Sequence, residues 1–187
     1  MKKIAIFTMG TRGDIQPYIY LSRQLLENGY AVTLSSHPCW RGLVEEAGIP
    51  FAPAGPNIDI EKEAAVIRGK TSDAALSMIR CMHFIMKIIC SSTEDVYELC
   101  KGKDLIIVSH SYMGAVEAGV LKIPTVNVTL QTRMIHEEGK RQTFMGRWVS
   151  RLAAIPYNKI RRVYGLKKIR TADEIMPDRL NLIPISR

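Results

Sequence analysis

The sequence predicts an α/β protein, with a parallel sheet flanked by helices and wound by right-handed crossovers. Three observations predict it. Short apolar runs at 3–8 and 104–109 read as buried strands, and 30–35 reads as an alternating one. Helical periodicity follows each run after a brief connection, the alternation expected of a sheet covered on both sides. The first run also leads straight into a turn with two glycines, Phe7-Thr8-Met9-Gly10-Thr11-Arg12-Gly13-Asp14-Ile15-Gln16-Pro17, at the start of the first helix. Open sheets place their chemistry at such a junction.

The elements follow in order. Tyr18, Leu21, Leu25 and Asn28 recur at helical spacing, and Ile19 and Leu26 widen the apolar face. Asp14 suits the N-cap, Pro17 the first turn and Gly29 the C′ stop. Tyr30 to Ser35 is a second strand. Ser36-His37-Pro38 then turns into a short helix from Trp40 to Ala47, closed by Gly48. Ile49 to Ala52 makes a brief third strand, ended by Pro53-Ala54-Gly55-Pro56. Asp59 to Arg68 fits a helix, and 69–72 reads as a mobile loop. Asp73 to Cys90 forms a longer helix with one narrow polar stripe of Ser77, Arg80, His83 and Lys87. It is too short and too charged to cross a bilayer, which needs about 20 apolar residues. It is expected to pack on the sheet over most of its surface, or else to line a hydrophobic pocket with its methionines. Ser92, three residues ahead of Asp95, resembles a capping box opening a helix that runs to Lys101. Asp104 to Ser109 is a buried strand ending at His110-Ser111-Tyr112, a helix covers Gly114 to Leu121, and Pro124 to Leu130 is a strand ending at Gln131-Thr132. Residues just beyond strand carboxyl ends face the ligand crevice of an open sheet. Thr11, Arg12, Asp14, His37, His110 and Gln131 are therefore expected along one edge.

With 187 residues, 47% hydrophobic and 24% charged, the chain is one ordinary globular domain. Its net charge of +8 is concentrated, with ten Lys or Arg residues and no acid between Gly139 and Ala172. That block is a surface patch on a protein otherwise near neutral. Its cations alternate with Phe144, Met145, Trp148, Val149 and Leu152, and Pro156 divides it. The pattern suits peripheral contact with anionic lipid, against the alternative of a solvated face or one covered by another domain. No nucleic-acid partner is expected, since no RNA-binding motif or recognition helix accompanies the charge. Cys39, Cys81, Cys90 and Cys100 form no C-x-x-C pair and no zinc spacing. With no signal peptide visible, they read as reduced thiols of a cytoplasmic protein, peripheral at the inner face of the membrane.

The glycine turn lacks the third glycine of a dinucleotide fingerprint and the Gly-Lys-Ser/Thr of a P-loop. Ser109 and Ser111 lack the nucleophile elbow of a hydrolase. Two roles stay open for Asp14. It is a helix cap, or it is a general base held at a loop–helix junction with Arg12 two residues away.

Gly10-Thr11-Arg12-Gly13-Asp14-Ile15-Gln16-Pro17 resembles the N-terminal motif of the UDP-dependent glycosyltransferases that modify sterols, other lipids, macrolides and glycopeptides. Gly29-Tyr30-Ala31-Val32-Thr33-Leu34, His37-Pro38, Leu43-Val44-Glu45-Glu46-Ala47-Gly48-Ile49 and the helix Asn158 to Leu166 are similar too, in the right order. The resemblance implies a Rossmann-like sheet forming the N-terminal half of a two-domain GT-B architecture. Residues 1–187 would be the acceptor-binding domain, with the nucleotide-sugar domain outside this chain and the crossing toward it at 182–187. The chain would then be a fragment or half of a split enzyme, inactive alone. The implied reaction is inverting transfer of a sugar, glucose first, from a UDP-sugar to a hydroxyl of a hydrophobic acceptor. In that reading Asp14 is the general base, and Gly10, Thr11, Arg12 and Gly13 border the donor diphosphate or orient Asp14. Arg12 meets either phosphate or Asp14. His37, His110 and Gln131 face the acceptor. The UDP-sugar is a co-substrate, and neither a cofactor nor a metal is expected, as no Asp-x-Asp is present. The alternative is a lipid- or membrane-surface-binding module without chemistry.

Overall fold

The computed structural model of the protein describes residues 1–69, 74–130, 144–175 and 180–182. Strands are β1 (Lys3–Phe7), β2 (Ala31–Ser36), β3 (Phe51–Pro53), β4 (Leu105–Val108), β5 (Thr125–Val128) and β6 (Leu180–Leu182). Helices are α1 (Arg12–Glu27), α2 (Arg41–Glu46), α3 (Ile60–Gly69), α4 (Ala74–Ser91), α5 (Thr93–Cys100), α6 (Ala115–Val120) and α7 (Phe144–Val163). The strands form one parallel sheet in the order β3-β2-β1-β4-β5-β6. Strand order reverses between β1 and β4, so the chain ends of those two strands diverge and open a crevice. This is the Rossmann-like arrangement expected from the sequence.

Alternation along the central strands builds two cores. Ile4, Ile6, Val32 and Leu34 point to one face and pack with Ile15 and Tyr18 of α1 and Val44 of α2. Ala5, Phe7, Ile106 and Val108 point to the other, under α3 to α7. On α1 the buried centre is Ile15, Tyr18 and Ser22, flanked by half-buried leucines. The Tyr18 hydroxyl donates to the Val128 carbonyl at 2.5 Å, tying α1 to β5. Gly29, at φ +81°, closes α1 as expected, its N–H bonding Leu26 O and the Tyr30 N–H bonding Leu25 O.

Several expectations are corrected. The N-cap of α1 is Thr11, and Asp14 stands at the third helical position and reaches back. Pro17 consequently lies inside the helix, where it leaves the Gly13 carbonyl without a helical donor. An interior proline costs about 3 kcal/mol. Gly13 is exposed, so water can take its carbonyl, and burying Ile15 and Tyr18 completely returns about 2 kcal/mol each. Ser92 makes no capping box. It continues from α4 in helical geometry, and its hydroxyl bonds back to Ile88 O at 2.8 Å. Asp95 instead accepts the Gly55 N–H at 2.9 Å. Among the described side chains of α4, Leu76, Ile79 and Ile85 are exposed while Ile88 and Ile89 near its end are buried, and the pocket expected of its methionines lies outside the described residues. Helix α7 runs unbroken through Pro156. Residues 180–182, unassigned from the sequence, are β6 against β5. The loop expected at 69–72 lies largely outside the described residues, Gly69 itself closing α3.

Two measurements test this packing. Gly114 sits at φ +89°, and a β-carbon there would lie 2.7 Å from Phe7 Cδ2. Gly114→Ala is expected to destabilise the fold by about 2–4 kcal/mol, read as a lower urea midpoint with unchanged slope. Glu117 of α6 is 3% exposed, and burial raises its carboxyl to about 7. Its proton is thus held more tightly folded than unfolded. The associated stability, about 3 kcal/mol, is fully present below pH 4.5 and lost as the pH rises through 7. Glu117→Gln should match the parent melting temperature at pH 4 and exceed it at pH 9; equal melting temperatures at pH 9 would refute the assignment.

Candidate functional site

The crevice at the β1–β4 switch is built from two loops. The first leaves β1 at Thr8, whose N–H bonds Ser35 O at 3.1 Å and whose hydroxyl reaches Asp14 O at 3.3 Å. Gly10 follows at φ +138°, where a β-carbon would come within 2.8 Å of Asp14 Cγ. Only glycine lets the Asp14 side chain fold over this point. The carboxylate oxygen Oδ2 then accepts the Thr11 N–H at 2.8 Å and the Thr11 hydroxyl at 3.0 Å. Among the described residues Oδ1 receives no hydrogen bond. Asp14 is half-buried, so this second oxygen is held in place by the first and left available.

Arg12 is exposed and forms no ion pair with Asp14 among the described contacts. Its backbone N–H donates to Glu61 Oε1 of α3 at 3.1 Å, so a carboxylate already occupies the positive end of α1. Gly13 is exposed on the first turn. The Trp40 indole N–H donates to Gly10 O at 3.2 Å and pins the loop from the β2 side. Trp40 and Glu61 were not singled out from the sequence. They meet the turn across 30 and 49 residues, a separation that no local pattern reports.

The second loop leaves β4 at Ser109, whose N–H bonds Phe7 O at 3.0 Å. The Ser109 and Ser111 hydroxyls meet at 2.9 Å, and Tyr157 of α7 donates to the Ser111 carbonyl. Tyr112 takes φ +51° and Gly114 φ +89°, so the backbone turns sharply twice in three residues. For a tyrosine that geometry is strained, and strain of this kind gathers at functional loops. His110 stands half-buried in this loop. The loop also approaches α1, since Ser109 lies against the Tyr18 hydroxyl. Burial and the Asp14 charge push that phenol well above its usual range, which keeps it a donor.

His37 lies at the carboxyl end of β2 but is fully buried, with neither ring nitrogen hydrogen-bonded among the described residues. Burial lowers it to about 4, so it is neutral at ordinary pH and can donate or accept but not pair as a cation. The hydroxyls of Ser35 and Ser36 beside it are likewise buried without partners there. The structure thus places Gly10, Thr11, Arg12, Gly13 and Asp14 at the carboxyl end of β1 and His110 at that of the adjacent β4, buries His37 completely at the end of β2, and leaves Gln131 outside the described residues. The exposed Cys39 thiol is raised by desolvation, which disfavours the nucleophilic thiolate. No group of three or more His, Cys, Asp or Glu residues suited to a metal occurs among the described residues.

Comparison with known proteins identifies this architecture. Residues 4–155 match the model of the glycosyltransferase family 28 N-terminal domain. A sterol 3-beta-glucosyltransferase of Yarrowia lipolytica is 31% identical over 122 residues, covering 64% of this chain and 8% of that protein. The UDP-sugar-dependent glycosyltransferase 52 of Dictyostelium discoideum is 33% identical over 130 residues, 67% of this chain and 8% of that protein. Among solved structures, the SsfS6 glycosyltransferase of Streptomyces sp. SF2575 superposes with a TM-score of 0.68 at 17% identity, over 98% of this chain and 51% of that one. The chain therefore spans about half the length of this solved neighbour and under a tenth of these curated relatives. With the family model covering most of its length, the chain belongs to the glycosyltransferase family 28 N-terminal domains.

Proposed function

We propose that this chain is the acceptor-binding half of an inverting glycosyltransferase, moving a sugar, glucose first, from a UDP-sugar to a hydroxyl of a hydrophobic acceptor. Family membership and the activities of the relatives support the reaction class. The observation that carries the mechanism is the Asp14 carboxylate, with Oδ2 fixed twice by Thr11 and Oδ1 free of hydrogen bonds among the described residues.

An alcohol is a weak nucleophile until its proton is taken. In this reading the acceptor oxygen attacks the anomeric carbon on the face opposite the diphosphate. The bond to the diphosphate oxygen breaks as the new glycosidic bond forms, the electron pair leaves with UDP, and the acceptor proton passes to Asp14 Oδ1. Thr11 holds the carboxylate in place, so little reorganisation is needed as charge moves. Gly10 to Gly13, at the start of α1, border the diphosphate, whose negative charge suits a helix N-terminus. His110 and the neutral His37 serve as hydrogen-bonding groups on the acceptor side. The donor is held by a second domain outside this chain, so the 187 residues alone transfer no sugar.

The test joins this chain to a donor domain and changes Asp14 to Asn. The amide keeps an oxygen for Thr11 but no longer accepts a proton efficiently. The expected result is a fall in kcat of about 10²–10⁴-fold with the acceptor KM nearly unchanged. An unaltered kcat would sink Asp14 as the base, and sugar transfer by the isolated chain would sink the division between domains.

A further inference from the structure

The group that meets the Asp14 carboxylate is the peptide joining Gly10 to Thr11, whose N–H donates to Oδ2 at 2.8 Å. The other end of the same peptide, the Gly10 carbonyl, accepts the Trp40 indole N–H at 3.2 Å. Among the described residues neither end has a backbone partner, so two side chains alone hold this peptide. A trans peptide is planar, with its C=O and N–H pointing in opposite directions. A donor that fixes the carbonyl therefore also aims the amide hydrogen. On the Gly10 side the plane is otherwise loose, because a residue without a β-carbon, here at φ +138°, resists its tilting little. Polarisation acts in the same direction, since a carbonyl that accepts a hydrogen bond makes the N–H of its own peptide a stronger donor. The indole is itself well anchored. Trp40 ends the tight turn Pro38–Trp40 that follows β2, its N–H bonding His37 O at 3.1 Å. Its ring packs half-buried against the core beneath α1 and α2, and β2 lies directly beside β1 with Ser35 paired to Phe7.

We infer that Trp40 is a positioning residue for Asp14, acting through the Gly10–Thr11 peptide. The inference rests on the reading of Asp14 as the base and adds the residue that aims it. A tie that only fastened the loop to the end of β2 could finish on any carbonyl of the turn. This one finishes on the peptide whose opposite edge meets the carboxylate. Without the indole N–H the plane is free to tilt, the Thr11 N–H drifts off Oδ2, and the carboxylate loses its fixed direction. The loss is partial, because the Thr11 hydroxyl still reaches the same oxygen at 3.0 Å. One neutral hydrogen bond corresponds to about two- to tenfold in a rate. Glu61 is the lesser tie on this turn, for it bonds the next N–H, that of Arg12, from an exposed position and touches neither end of the Gly10–Thr11 peptide.

The test removes the indole N–H and keeps an aromatic ring in place. Trp40→Phe does so with some loss of volume, and a tryptophan analogue carrying sulfur instead of the indole N–H does so without it. In the 187-residue chain, both changes are expected to move the Thr11 amide proton upfield and to speed its exchange with solvent. The melting temperature of the sulfur analogue should stay near the parent's, which separates lost aim from lost folding. With this chain joined to a donor domain, both changes are expected to lower kcat about two- to tenfold and to leave the acceptor KM nearly unchanged. In an Asp14→Asn background they should cost nothing further, because the base that they aim is gone. An unmoved Thr11 amide would overturn the inference. So would an unaltered kcat where Asp14→Asn lowers it, or an equal loss in the Asp14→Asn background. If Asp14→Asn itself leaves kcat intact, the base reading fails, and the Thr11 amide then decides whether Trp40 aims the side chain.

Discussion

The two hydrogen bonds from Thr11 to the Asp14 carboxylate set the geometry of the whole crevice. They close the start of α1 on itself, which fixes where the helix begins and therefore which of its residues face the sheet. With Thr11 as the cap, Ile15, Tyr18 and Ser22 fall on the buried line and the Tyr18 hydroxyl comes to the end of β5. Moving the cap by three residues would rotate that line by most of a turn. The same closure demands Gly10, because the folded-back carboxylate occupies the space of a β-carbon there. Cap and candidate base are thus one arrangement, in which the structural role positions Oδ2 and leaves Oδ1 for chemistry.

Around this turn the protein spends conformational freedom where a rigid site needs it. Gly114 lies against Phe7, so the β4 loop cannot separate from β1 without breaking a buried contact. Tyr112 holds a left-handed backbone between two anchors, the Ser109 turn before it and Gly114 after it. Strain of about 1–3 kcal/mol at such a residue persists only when the surroundings over-determine it. Glu61 adds a reversible element. Its carboxylate bonds the Arg12 N–H from an exposed position, where such a contact is worth little and yields readily to a more highly charged ligand.

Much of this was legible in the sequence, for identifiable reasons. Strands β1, β2 and β4 announce themselves by apolar runs, and the parallel alternation with α1, α2 and α6 follows from short connections. The glycine turn was legible as a candidate site because its two glycines and its carboxylate lie within five residues. What failed was phase. The helix start was placed at Asp14 since aspartate is a good cap, but a third-position acid reaching back to a threonine has the same local signature. Ser92 and Asp95 failed in the reverse direction, because α4 runs on in helical geometry and serine back-bonds instead of capping. Trp40 and Glu61 were invisible because their contacts are long-range. His37 was placed correctly at a strand end, yet its complete burial is a property of the surrounding loops and not of its neighbours in sequence.

Helix α7 connects the crevice to the outer surface, and its two sides answer to different constraints. Inward, Tyr157 donates to the Ser111 carbonyl and so steadies the loop that carries His110. Asn158 bonds Ile169 twice, at 2.9 Å each way, and so folds the following segment back against the helix. Outward, the same turns carry Ile155, Lys159 and Arg162 into solvent. Pro156 leaves the Leu152 carbonyl without its helical donor, yet the helix does not break there. The burial of Pro156 itself, together with Ala154, Tyr157 and Ile160, explains why. These buried side chains outweigh one lost bond, and a continuous rod results. A rod packed into the core on one side and solvated on the other transmits orientation. Whatever holds its outer stripe also holds the β4 loop and the His110 that it carries.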